Sequence, residues 1–132
     1  MKELAFRLTK GDDLRSKIEE YCADIDTAIV LSAVGCLYEV NIRLANAQTY
    51  LHTTKDYEIV SLVGTISKAK AHLHISLSDD EGKCIGGHLV EGCRVNTTCE
   101  IVLGILQDYK SIREYDDNTG YDEICFQEVE ND

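Results

Sequence analysis

The sequence predicts an α+β domain in which one main helix packs on an antiparallel β-sheet. Three observations lead there. Short apolar or alternating runs recur along the chain, separated by clusters of glycine, aspartate and asparagine, as expected for many short strands joined by tight turns. A single stretch, residues 14–22, carries its apolar residues at helical spacing. The chain has 132 residues, no proline, no internal repeat and no low-complexity linker, enough to bury one core and too little to promise two. Residues 1–132 are therefore read as one domain. Its end, from about residue 114, holds eight acids and no lysine or arginine, which reads as a solvated acidic terminus.

Taken in order, residues 4–8 alternate and predict a strand, and Gly11, Asp12 and Asp13 supply turn and cap chemistry for the helix that follows. Leu14, Ile18, Tyr21 and Cys22 form its buried stripe, with Arg15, Lys17, Glu19 and Glu20 outside. Residues 28–34 are an apolar, β-branched run expected to be a buried strand that breaks at Gly35 and Cys36, and residues 37–44 alternate as a half-exposed one. The polar segment 45–56 contains His52, read as a surface histidine. Residues 57–65 predict another strand and residues 98–106 a long one. Glu100 lies inside that last strand, where a carboxylate among apolar neighbours is costly unless paired. It would either reach the metal site discussed next or satisfy a backbone donor. A turn at residues 116–120 precedes a short strand around residues 124–126.

Residues 71–78 and 83–90 hold three of the four histidines. Side chains alternate along a strand, so His72 and His74 face one way while Leu73, Ile75 and Leu77 face the other. Asp80, Glu81 and Gly82 between the runs suit a three-residue hairpin loop whose third position needs the left-handed conformation that glycine adopts without penalty. That loop pairs Asp79 with Lys83, and counting back sets His74 opposite His88 with His72 diagonal to it. A four-residue loop would slip the register by one and turn His88 onto the apolar face, so the hydrophobic pattern selects the register in which three imidazoles converge. Opposite Cβ atoms lie about 4.5–5.5 Å apart and diagonal ones about 7–8 Å, which suits ligation of one ion.

The balance of 13 basic against 24 acidic residues gives a formal charge of −11. This opposes binding to phosphate backbones or acidic membranes unless basic residues cluster, and no cluster is visible along the chain. Six cysteines without a CxxC pair or signal peptide fit a reduced, cytoplasmic protein better than three disulfides, and no apolar run approaches the roughly 20 residues of a membrane span.

Residues 58–65, His72 to Leu77, the Asp79 to Gly82 turn, Gly86 to Gly92 and residues 98–102 together resemble the plants and prokaryotes conserved (PPC) domain in its stand-alone prokaryotic form. So do Phe6 to Leu8, Gly11 to Leu14 and Asp117 to Gly120. The resemblance covers nearly the whole chain and implies an antiparallel α+β domain that assembles as a homotrimer. It also implies a distant likeness to acetolactate decarboxylase, a zinc enzyme whose HxH pair and downstream third histidine fall here on His72, His74 and His88. Family members are often labelled DNA-binding because plant versions carry AT-hooks; this chain has no such segment.

Three imidazoles suit zinc or another borderline divalent ion, and three protein ligands with one position open characterise catalytic rather than structural zinc sites. Glu100 is the candidate orienter or general base, and Cys84 a candidate fourth ligand that would close the site. Three functions follow. The first is a metal-dependent enzyme or binding protein for a small carbonyl or carboxylate compound. The second is a DNA-associated regulator, disfavoured by charge, and the third a trimeric interaction module with metal-free histidines.

Overall fold

The computed structural model describes residues 1–130. These form, in chain order, β1 (Lys2–Thr9), α1 (Leu14–Tyr21), β2 (Thr27–Arg43), β3 (Tyr50–Thr53), β4 (Tyr57–Ser67), β5 (Lys70–Ser78), β6 (Cys84–Leu89), β7 (Arg94–Ile105), β8 (Tyr109–Asp116) and β9 (Tyr121–Glu128). The sheet order is β1-β7-β2-β4-β5-β6, with β3 beside β2 and β6 returning to pair with the far end of β2. All pairings are antiparallel. The domain is more β-rich than the α+β expectation, because its helix is only eight residues long.

That helix starts where the cap chemistry predicts. Asp13 has extended backbone angles and its carboxylate accepts from the Ser16 amide at 3.0 Å, satisfying one of the free donors at the helix start. The other carboxylate oxygen accepts from Gly92 N at 2.7 Å, so the cap also ties the helix to the loop after β6. Leu14, Ile18 and Cys22 are fully buried, whereas Tyr21 leaves the expected stripe: it is exposed and stacks on Phe6 with ring centroids 3.9 Å apart.

Two expectations about β2 fail. Residues 28–34 do not form a separate buried strand, since one strand runs unbroken through Gly35 and Cys36, and the predicted break is a register shift against β7. Nor is the run buried on both faces: Leu31 and Val34 are exposed, and a β-branched run looks the same whether one face or two are covered. The core lies on the other face, built from Leu37, Val40, Ile42, Leu62, Leu73, Ile75, Leu77, Leu89, Val95, Ile101 and Leu103.

The acidic end is ordered as a β8–β9 hairpin that pairs with none of the other strands. A buried polar knot holds it. Thr27, Ser67 and Ser111 are all fully buried, with Ser111 Oγ 2.6 Å from each of the other two hydroxyls. Asp26 Oδ1 accepts from Thr27 Oγ1 and from the Ser111 amide, both at 2.8 Å. Burial opposes ionisation of Asp26, but bonds from Lys68, the Ser111 amide and Thr27 outweigh it and hold the carboxyl at about 2. An ionised carboxylate only accepts, and each hydroxyl has one proton. The protons must therefore run from Ser67 to Ser111 to Thr27 to Asp26. Ser111→Ala removes the middle of this relay and leaves Ser67 without an acceptor in the core. Denaturant unfolding should show a loss of about 1–3 kcal/mol; an unchanged midpoint would mean that the relay carries no stability.

Candidate metal centre

Strand β5 alternates without exception from residue 70 to 75. Ala71, Leu73 and Ile75 are buried, and the histidines between them point outward. The turn to β6 has the predicted geometry: Asp79 N donates to Lys83 O at 2.9 Å, Gly82 N donates to Asp79 O at 3.1 Å, and Gly82 has φ +79°. The register follows, with His74 opposite His88, Ile75 opposite Gly87, Ser76 opposite Gly86, Leu77 opposite Ile85 and Ser78 opposite Cys84. On its other edge β6 pairs with β2, which sets Arg43 opposite His88.

The three imidazoles converge. Ring centroids are 5.5 Å apart for His72 and His74, 5.5 Å for His72 and His88, and 5.7 Å for His74 and His88. One ligand nitrogen from each lies within 4.8 Å of the other two. His88 Nδ1 is buried with no hydrogen-bond partner among the described residues. Burial, with Arg43, His72 and Arg15 nearby, pushes the His88 pKa down to about 4. Burial and the neighbouring His74 and Arg113 lower that of His72 as well. Both rings thus favour the neutral form, which is the form that ligates metal.

Beside the histidines a groove of about 730 Å³ runs between the sheet and the tip of the β8–β9 hairpin. His72 and His88 line it together with Arg15, Arg43, Lys70 and Arg113, and on the hairpin Tyr115, Tyr121, Asp122 and Glu123. The basic cluster that could not be seen along the sequence is therefore assembled by the fold, from a helix and three separate strands. Only the pairing of β2 with β6 brings Arg43 to the site, and no local sequence signal marks that contact.

The other residues singled out from sequence lie elsewhere. Glu100 is exposed on β7, opposite Arg7 of β1 and Val34 of β2, so the burial that made it a candidate does not occur. It does not join the histidine cluster. Cys84 shares the strand of His88 but sits four residues away, about 13 Å at the rise of a strand, and its thiol lies by the Gly82 carbonyl. His52 is at the surface, with Nε2 2.9 Å from Glu39 Oε2.

Residues 1–107 match the family model of the Plants and Prokaryotes Conserved (PCC) domain. The chain belongs to that family. The PCC fold is shared with a hypothetical protein of known structure from Salmonella cholerae-suis, at 31% identity and a TM-score of 0.91, covering 96% of this chain and 94% of that one. It is shared too with a metal-containing protein from Archaeoglobus fulgidus, at 28% identity and a TM-score of 0.78, covering 98% and 94%. In sequence this PCC chain is 36% identical over 125 residues to the bifunctional protein GlmU of Synechococcus sp. strain JA-3-3Ab, covering 93% of this chain. It spans about a fifth of the length of the curated relatives it matches.

The lowered pKa of His88 sets a pH dependence. An unfolded histidine titrates near 6.5 and the folded one near 4, so between these values the unfolded chain binds more protons. The stability of metal-free protein should fall as pH drops from about 6.5 to about 4, with no further loss from this residue below that. Thermal unfolding across that window should show a shallower slope for His88→Gln than for the wild type, and equal slopes would refute the assignment.

Proposed function

We propose that this PCC-domain protein binds a divalent transition ion, zinc by its donor set, through His72, His74 and His88, and holds a small carbonyl or carboxylate compound beside it. The observation that carries the reading is the convergence of three imidazoles, with His88 Nδ1 buried and without a hydrogen-bond partner among the described residues. A buried nitrogen left unbonded is costly, and a metal bond would satisfy it. The donor set fits zinc: all nitrogen, with no carboxylate or thiol in the cluster among the described residues. When bound, such an ion polarises a carbonyl oxygen or lowers the pKa of a bound water to about 7. The chain itself supplies the ligand geometry through the hairpin register, and the groove alongside provides room for an organic ligand. The description of the Archaeoglobus protein as metal-containing supports this reading without specifying the ion.

A DNA-associated role draws no support from the charge of −11. Self-association does have support. Leu31 and Val34 on β2 and Val60 and Val63 on β4 are roughly half exposed on adjoining strands, an apolar face suited to a second copy of the chain. It fits the homotrimer that the family resemblance implies.

Two measurements test these readings. Elemental analysis of purified protein should find close to one ion per chain, lost in His74→Ala while the fold persists; a folded wild type that neither contains nor takes up zinc would sink the metal reading. Sedimentation should give three times the 14.8 kDa chain mass, and Val63→Lys should shift it towards the monomer. A wild-type protein running at the single-chain mass would end the trimer proposal.

A further inference from the structure

The groove beside the histidines is positively lined in a strongly acidic protein. Arg15, Arg43, Lys70 and Arg113 face only Asp122 and Glu123 across it. Arg15 is already engaged, with Nε 3.5 Å from Glu19 and Nη1 donating to the Leu89 carbonyl at 3.1 Å. Arg43, Lys70 and Arg113 have no carboxylate partner within ion-pair distance among the described residues, although acids outnumber bases 24 to 13. The Nε atoms of both Arg43 and Arg113 are buried without a hydrogen-bond acceptor among the described residues, although Arg113 Nη1 donates to the Asp122 carbonyl at 3.4 Å. Such donors are costly to leave unmet, and both arginines line the same groove, where their guanidinium groups can meet an acceptor from outside the chain.

We infer that this groove is the seat of a multiply charged small organic acid, with Arg43 and Arg113 taking its carboxylate or phosphate oxygens and Lys70 adding charge. A guanidinium presents a planar fork that matches both oxyanions, and the groove's lining carries four bases against two acids, a surplus of two charges. The size agrees: about 730 Å³ falls within the usual range for small-molecule sites of roughly 300–1,000 Å³, while an acetate would leave most of it to water. Arg43 pairs directly across from His88, so the acid group would sit next to the candidate metal ligands. The inference names the ligand class for the metal-centred reading and rests on it for what the remainder of the ligand contacts; the acid-group seat stands on the arginines alone.

The test is calorimetric titration of malonate and of inorganic phosphate, with acetate as control at matched ionic strength, into wild type, Arg43→Gln and Arg113→Gln. Each protein is measured zinc-loaded and after treatment with EDTA. Malonate or phosphate should bind more tightly than acetate, and each arginine variant should lose about ten- to a hundredfold in affinity. Binding of phosphate alone assigns the seat to phosphoesters, and of malonate alone to dicarboxylic acids. Should Arg43→Gln fail to fold, Arg113→Gln carries the comparison. Anion binding that survives EDTA and falls in the arginine variants supports the seat even if zinc content proves to be nil. No preference over acetate, wild-type affinity in both variants, or binding that needs zinc and ignores the arginines would overturn it.

Discussion

The site depends on strand β6 having hydrogen-bonded neighbours on both edges. Against β5 its register places His88 opposite His74; against β2 the same residue lies opposite Arg43. Because side chains alternate, a slip of one residue on either edge would turn His88 into the core and Leu89 into solvent. The apolar side of the hairpin, with Leu73, Ile75, Leu77 and Leu89 all buried, makes that slip prohibitive. Gly87 permits the double pairing, since a Cβ there would stand 2.7 Å from the Arg43 carbonyl oxygen. Packing on one face of the ribbon therefore fixes the chemistry on the other.

What could be read from sequence is what is settled locally. The hairpin register needed only a loop length, a glycine and an alternation, and all five of its pairs are the predicted ones. The helix start needed only Asp13 and the residues after it. The turn between β4 and β5 shows the limit. It passes through Lys68 and Ala69, both at positive φ, without the glycine or asparagine such a turn ordinarily requires. Asp26, more than 40 positions earlier, supplies the compensation: its carbonyl accepts the Lys68 amide at 2.9 Å and its carboxylate pairs with the lysine side chain. A turn stabilised from so far away carries no signature of its own.

The arginine cluster was hidden for the same reason. Arg15, Arg43, Lys70 and Arg113 are spread over almost a hundred positions, and only the closure of β6 onto β2 and the folding back of the last hairpin assemble them. Glu100 failed in the opposite direction. Its apolar neighbours in sequence suggested burial, but they alternate away from it, and the face that it shares is open. Composition can tell that a strand is apolar; it cannot tell which of its faces another element will cover.

The β8–β9 hairpin shares no strand pairing with the body of the domain, and its tip forms one wall of the groove. Its attachment includes the hydroxyl relay that ends on Asp26 and the Ser111 amide donating to Asp26 Oδ1 at 2.8 Å. The groove is thus bounded by two structures of unequal permanence. The sheet side can be lost only with the whole fold, whereas the hairpin side can lift in a sub-global opening that leaves the core intact. Amide protons of β8 and β9 then exchange on a shorter clock than those of β5 and β6, and a solute too large for the mouth of the groove could still enter while that wall is away.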